Sequence, residues 1–328
     1  MKMSFSKSVK EELSLQMSSA RHCRLAELAA ILTYGGQMVQ SRSHQYLRLQ
    51  TENSVVARKY FTLIKKTFNI SIDISIRRNL SIKNNKTYTL IVKNQDAAEN
   101  ILKATKQSSD DAEDGKIGNP GQMVLQNNCC KRAFIRGAFL MCGSMSNPKK
   151  SYHLEFVTDD IVKAERLKEL ICTFSIDAKI IKRKKYFVVY IKEGSGIVEL
   201  LNVMEAHVSL MDLENVRILK EMRNQVNRQV NCEAANINKT VEAASKQIDD
   251  IIYIRDYTGF GNLNEGLRDI ARLRIEHPDA SLKELGTMLL PPIGKSGVNH
   301  RLRKLSMIAD NFREHKEESI NDKERNNN

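Results

Sequence analysis

The segment KRAFIRGAFLMCGSM, Lys131 to Met145, has the pattern of an apolar helix that packs against another helix. Ala133, Gly137 and Ala138 share one stripe at helical spacing, and small residues there let two backbones approach closely. The helix ends at Gly143. Upstream, RLAELAAILTYGG, Arg24 to Gly36, shows the same pattern with Ala26, Ala29 and Ala30, and it too ends at glycine. Gly143 follows Gly36 by 107 positions, and Thr158 follows Thr51 by the same interval, so Thr51-Glu52-Asn53 lies over Thr158-Asp159-Asp160. One such helix is ordinary core. Two in matched register predict a paired central interface.

The surrounding elements repeat as well. In the first copy, alternating polar segments run through SRSHQYLRLQTEN, then comes the amphipathic helix SVVARKYFTLIKKTFN. The strand-like runs IDISIRR and KTYTLIVK follow, and DAAENILKAT closes the copy with Asp96 as its N-cap. In the second copy, HLEFVT reads as strand and DDIVKAERLKELICTF as a helix capped by Asp159 or Asp160. AKIIKRKKYFVVYIKEG reads as a basic hairpin and SGIVELLNVMEA as the closing helix. The order α-β-β-α-β-β-α, given twice, predicts an α+β protein with two lobes about a pseudo-twofold axis. QSSDDAEDGKIGNPGQ, between the copies, reads as an acidic, solvated linker.

From Asn236 onward the strand signals stop. KTVEAASKQIDDIIYIRD, NLNEGLRDIARLRIEHP and SLKELGTMLL have helical periodicity, and Ser281 with Glu284 forms an S-x-x-E capping box. Pro291 and Pro292 break the chain, and Ser296 is expected to cap the next helix, GVNHRLRKLSMIADN. There Val298, Leu302, Leu305 and Ala309 make one apolar stripe. The opposite face carries Ser296, His300, Arg303 and Lys304, flanked by Asn299 and Arg301, with Lys295 just ahead. Two helices, a short turn and a basic outer face on the second helix form a helix-turn-helix pattern. Asn, His and Arg can bond base edges, and Lys295 and Lys304 suit phosphates. The plainer alternative is a solvated helix face.

The expected divisions are a first repeat with an N-terminal helix at 1–106, the linker at 107–122 and a second repeat at 123–208. A connecting helix at 209–235, a helix-turn-helix domain at 236–313 and a disordered tail at 314–328 follow. The chain has 328 residues and a net charge of +13. Residues 1–122 hold 19 basic and 11 acidic side chains, residues 123–235 hold 18 and 13, and residues 236–328 hold 15 of each. A basic balance points to a polyanion, although a Lys- and Asn-rich composition also follows from an AT-rich genome. No apolar run is long enough to cross a bilayer, and the opening MKMSFSKSVKEELSLQ lacks the apolar core of a signal peptide. The six cysteines form no C-x-x-C pair, so a reducing cytoplasm with no structural metal is the simplest expectation. His22-Cys23 suggests a metal or redox site, but neighbours on a helix are expected to diverge. DYTGFGNLNEG, Asp256 to Gly266, lacks the ending of a phosphate loop and reads as a turn.

Through SFSKSVKEEL, the two repeats and the segment GKSGVNHRLRKL, nearly the whole chain resembles the WhiA family of bacterial proteins, and less closely the LAGLIDADG homing endonucleases. In active nucleases of that fold an acid precedes the final glycine of each motif helix, and the two acids hold divalent metals. The matching positions here are Gly35 and Cys142, and neither offers the hard oxygen that magnesium requires. The resemblance therefore implies a degenerate nuclease fold with no catalytic residue, metal or cofactor. The competing expectation is a metal-dependent endonuclease with unconventional ligands. Cys142 as a nucleophile lacks an assigned base.

The fold also implies a sheet saddle that holds DNA. Its candidate backbone contacts are Arg42, Arg48, Arg77, Arg78, Lys83, Lys149, Lys150, Lys182, Arg183, Lys184 and Lys185. Equally, these residues could solvate an open sheet face or grip an acidic protein partner. The resemblance implies double-stranded DNA as partner, with other regulatory or division proteins besides. It implies a cytoplasmic, nucleoid-associated location and roles in cell division and chromosome segregation, with transcriptional control as a further role. A monomer is compatible with all of this, and no membrane contact is expected.

Overall fold

The computed structural model describes residues 4–40, 45–78, 86–108 and 115–325. Arg42 and Lys83 lie outside them. The chain divides into two units, Met1–Glu221 and Met222–Asn328. The first opens with α1 (Phe5–Leu15), whose Val9 and Leu13 are buried. Then come α2 (Arg21–Gly35), β1 (Gly36–Gln40), β2 (Gln45–Thr51), α3 (Ser54–Phe68), β3 (Asp73–Arg78), β4 (Lys86–Val92) and α4 (Gln95–Thr105). The second repeat gives α5 (Asn128–Cys142), β5 (Gly143–Met145), β6 (Leu154–Thr158), α6 (Ile161–Cys172), β7 (Lys179–Arg183), β8 (Tyr186–Ile191) and α7 (Gly194–Met204). Each repeat is α-β-β-α-β-β-α. The antiparallel sheets run β1-β2-β4-β3 and β5-β6-β8-β7.

The repeat extends to the caps. Asn53 Oδ1 accepts from Val55 N at 2.9 Å to start α3, and Asp160 Oδ1 accepts from Val162 N at 2.8 Å to start α6. Both are residues of the matched triplets. The cap of α4 is Asn94, which accepts from Ala97 N at 2.8 Å, and not Asp96. Asp96 sits in the first turn, where its charge suits the helix dipole.

Helices α2 and α5 lie against each other. Ala26, Ala29, Ala30, Ala133 and Ala138 are all buried at the contact, while Leu28, Ile31 and Leu32 on the other side of α2 enter the core of the first repeat. A Cβ on Gly137 would stand 2.5 Å from the Glu27 carbonyl oxygen and 2.9 Å from Ala30 Cβ. Ala30 is the residue matched to Gly137 by the 107-residue register, so the helices come close where equivalent positions of the two repeats meet.

Glu27 is fully buried at this interface. Its carboxylate meets Lys59 Nζ at 3.0 Å and Arg136 Nε at 3.2 Å. Arg136 Nη1 reaches Glu205 Oε2 at 2.6 Å, its Nη2 donates to Ser18 Oγ at 3.2 Å, and Lys59 also donates to the Gln16 carbonyl. Burial pulls the Lys59 ammonium below its ordinary range, and the Glu27 carboxylate opposes that shift. Buried charges persist only when paired and hydrogen-bonded, and this group joins the segment after α1, the helices α2, α3 and α5, and the residue that follows α7.

The segment expected to be a solvated linker is partly core. Gln107 is buried and donates to the Ala29 carbonyl at 3.1 Å, to Thr33 Oγ1 at 2.9 Å and to the Gly118 carbonyl at 3.0 Å. Ile117 is fully buried, and Gln37 of β1 bridges to Lys116. Gly115 takes φ +68° with Met38's carbonyl oxygen where a Cβ would stand, 2.1 Å away, so only glycine fits that approach. Composition suggested solvent because acids and glycines dominate the stretch, but one isoleucine and one glutamine anchor it to α2.

α8 (His207–Tyr257) is a single helix of 51 residues. The boundary expected at 235–236 therefore falls inside it. Its first turn is capped from α1: Glu12 accepts from Val208 N at 2.7 Å, Ser209 N at 2.9 Å and Ser209 Oγ at 2.6 Å. The second unit continues with α9 (Glu265–Glu276), α10 (Leu282–Met288) and α11 (Lys295–Arg325). Asp256–Gly266 spans the end of α8, the turn and the start of α9, as expected for a turn. Residues 314–325, expected as disordered tail, continue α11. Their Lys, Glu, Asp and Arg content is polar enough to suggest disorder, yet Glu, Lys and Arg are also good helix formers.

Candidate nucleic-acid interface

Ser281 starts α10 with the expected capping box: Glu284 N donates to Ser281 Oγ at 3.3 Å and Ser281 N to Glu284 Oε2 at 2.7 Å. The turn then closes on the helix. Ile293 N donates to the Gly286 carbonyl at 3.0 Å, and a Cβ on Gly286 would lie 2.3 Å from the Ile293 carbonyl oxygen. That approach fixes where α11 begins. Val298, Leu302, Leu305 and Ala309 are buried against Ile254, Leu267, Ile270 and Leu285. Farther along, Arg313 Nη2 of α11 pairs with the buried Asp250 of α8 at 2.8 Å.

With the apolar stripe turned inward, Lys295, Ser296, His300, Arg303 and Lys304 are exposed, and Asn299 is half-buried. Two expectations change. α11 starts at Lys295, so Ser296 lies within its first turn and does not cap it. Arg301 is turned against α9, where Nη1 donates to the Gly266 carbonyl at 3.2 Å. It holds two helices together and is not a free arm for a base. A spiral position flanking the polar face gave no hint of that, because the acceptor is 35 residues upstream.

The sheets are less uniformly basic than the sequence suggested. Side chains on the face turned away from the helices include Arg48, Arg77 and Arg183, as the pairings Arg48↔Ile91, Arg77↔Thr87 and Arg183↔Tyr186 require. Arg48 Nη2 donates to Gln37 Oε1 at 2.6 Å, and Arg183 reaches Glu155 at 3.6 Å. Glu155 also meets His153 Nε2 at 3.0 Å, so an acid sits on this face of the second sheet. Arg78 pairs with Lys86 at the end of β3, on the opposite face by alternation. Lys182 lies over the Phe187 ring at 5.7 Å, and Lys184 and Lys185 form the tight turn with Lys184 at φ 57°. Lys149 and Lys150 are in the turn between β5 and β6, outside the strands.

At the C-terminal ends of α2 and α5, Gly35 and Cys142 bring no carboxylate. A Cβ on Gly35 would strike Met141 Cε. The Cys142 thiol donates to the Ala138 carbonyl at 3.2 Å, and burial pushes it up to about 12, which keeps it protonated and unreactive. Beside them is a cavity of about 280 Å³ lined by Thr33, Gly35, Lys116, Asp159, Lys163 and Tyr186, among others. Lys163 is buried there and donates to the Thr33 carbonyl at 2.7 Å, placing a fixed ammonium on the last turn of α2. Asp159 is paired with Lys116 at 2.5 Å, and that bond holds its carboxyl below the usual range. Lys116 and Asp159 thus pair within the chain, while Lys163 is held by a backbone carbonyl.

The structure also gathers a group that linear spacing concealed. His22 Nδ1 lies 3.4 Å from Cys23 Sγ, 3.2 Å from Cys130 Sγ and 3.9 Å from Cys129 Sγ. The expectation that His22 and Cys23 diverge fails, because both point toward the first turn of α5. The one signal in the sequence was the register itself: His22-Cys23 lies over Cys129-Cys130.

No helix among the described residues is long and apolar enough to cross a membrane. Residues 21–107 match the model of the WhiA N-terminal LAGLIDADG-like domain, residues 131–223 that of the WhiA LAGLIDADG-like domain, and residues 226–309 that of the WhiA C-terminal HTH domain. A probable cell division protein WhiA of Lachnoclostridium phytofermentans is 61% identical over 313 residues, which cover 95% of this chain and 100% of that protein. The protein of the same description from Alkaliphilus oremlandii is 50% identical over 318 residues, 96% of this chain and 99% of the relative. In fold, the crystal structure of full-length DUF199/WhiA from Thermatoga maritima superposes with a TM-score of 0.58 at 24% identity, covering 94% of this chain and 99% of that one. Three domain models matched in order, and close relatives matched over their full length, place this chain in the WhiA family.

Proposed function

We propose that this chain binds double-stranded DNA without cutting it and acts in bacterial cell division through that binding. The reading rests on the outer face of α11, where Lys295, Ser296, His300, Arg303 and Lys304 are exposed on a helix whose start is fixed by the α10 cap and turn. Lys295, Arg303 and Lys304 contact phosphates, while Ser296, Asn299 and His300 bond base edges. Arg48, Arg77 and Arg183 of the sheets add weaker backbone contacts. Transcriptional control and chromosome segregation are then consequences of where the protein sits on the nucleoid. Other regulatory or division proteins join it there. The lack of a carboxylate at Gly35 and Cys142 supports a role without catalysis.

The test is a salt titration of the full chain on duplex fragments of its own genome. Each phosphate contact adds roughly 0.9 to the slope of log affinity against log salt, so Lys295→Ala, Arg303→Ala and Lys304→Ala together lower it by about 2.7. An unchanged slope in a variant that melts normally moves the interface off α11. Chelator-sensitive nicking of plasmid with Mg²⁺ or Mn²⁺ overturns the non-catalytic reading.

A further inference from the structure

Four soft ligand atoms meet where α2 and α5 begin. His22 and Cys23 come from the first turn of α2, Cys129 and Cys130 from the first turn of α5, and their ligand atoms all lie within 4.8 Å of one another. Zinc bonds of about 2.0–2.3 Å to nitrogen and sulfur give a tetrahedron with edges of about 3.3–3.8 Å. The three contacts of His22 Nδ1, at 3.2, 3.4 and 3.9 Å, bracket those edges. A space this small takes one ion and excludes a sulfide-bridged cluster. Thiolate and imidazole donors select zinc over magnesium or calcium.

We propose that His22, Cys23, Cys129 and Cys130 bind a single zinc ion that staples the two repeats together at the starting ends of their central helices. Four protein ligands fill the tetrahedron, which makes the site structural and leaves no position for a substrate. Binding displaces three thiol protons and leaves three thiolates, a neutral imidazole and a net charge of −1 at the centre. Two features favour that charge. Both ligand pairs sit at helix N-termini, whose dipoles stabilise thiolate. In sequence, Arg21 and Arg24 bracket one pair, and Lys131 and Arg132 follow the other. The pseudo-twofold axis explains why the set is complete. Each repeat supplies two adjacent ligands at matched positions, so neither repeat can hold the ion alone.

The test uses the full chain purified under reducing conditions, without a histidine tag or chelator. Elemental analysis is expected to find about one zinc per chain, and exchange for Co²⁺ to give the thiolate charge-transfer and visible bands of a tetrahedral S₃N site. His22→Ala and Cys129→Ser alter exposed side chains, so they should fold, lose the metal and melt at lower temperature. Cys232→Ser, exposed on α8, should keep the metal. The cobalt spectrum of the unaltered chain reads the site even if a variant fails to fold. Four results overturn the proposal: no stoichiometric metal, no cobalt bands, metal that survives both ligand substitutions, or a disulfide among the three cysteines in the reduced preparation.

Discussion

Gly137→Ala sets two effects of known size against each other. Replacing a helix-interior glycine by alanine favours the helix by about 1 kcal/mol. Here the new Cβ would stand 2.5 Å from the Glu27 carbonyl oxygen and 2.9 Å from Ala30 Cβ. Relief requires α2 and α5 to separate by roughly half an ångström or more, and the alanines that line the contact have no side chain long enough to refill the gap. Overpacking of this kind costs about 1–3 kcal/mol. The steric term therefore wins, with a net loss of roughly 0–2 kcal/mol for alanine and a larger loss for Gly137→Val, which adds bulk and a branched Cβ. Urea unfolding of the full chain, followed by far-ultraviolet circular dichroism and by hydrogen exchange of α2 amides, measures both. A gain of about 1 kcal/mol for Gly137→Ala, the full propensity term, would show that the helices do not touch at this residue and would refute the close approach.

Arg301→Ala removes the bond to the Gly266 carbonyl and should destabilise the second unit by about 1 kcal/mol, whereas Arg303→Ala should leave melting unchanged and weaken DNA binding. Equal effects of the two on binding and none on melting would return Arg301 to the interface. Glu12→Ala strips the cap from α8 and should cost about 1–2 kcal/mol, with Glu12→Gln recovering part of it; faster amide exchange confined to the first turn of α8 is the expected signature. At pH 8 the raised thiol of the half-buried Cys142 stays protonated, so iodoacetamide should label the exposed Cys172 and Cys232 first while Cys142 reacts far more slowly in native protein; prompt labelling of Cys142 would contradict a thiol held protonated.

Periodicity and register carried most of the fold. Gly36 over Gly143 and Asn53 over Asp160 mark equivalent places in two copies, and local chemistry at those places is the same in both. The α11 stripe and the Ser281 cap were legible for a similar reason, since each depends on residues within a few turns. What sequence could not show are contacts between distant positions. Ile117 looked solvated until α2 supplied its pocket. Arg301 looked available until Gly266 supplied its acceptor. Glu27 looked like one more polar residue, although Lys59 and Arg136 both close on it. The end of the α8 connector at 235 was drawn at a change of composition, which a continuous helix need not respect.

The buried ion group breaks the symmetry that the rest of the scaffold keeps. By the 107-residue register, the counterpart of Glu27 is Phe134 and that of Arg136 is Ala29. Two copies of the first repeat would keep Glu27 with Lys59 but set it against alanine, and two copies of the second would keep Arg136 with Glu205 but set it against phenylalanine. Either arrangement loses the contact between Glu27 and Arg136 that crosses the seam and leaves a buried charge with fewer partners, which is destabilising. The two halves are therefore not interchangeable where they meet: each is a better complement of the other than of itself.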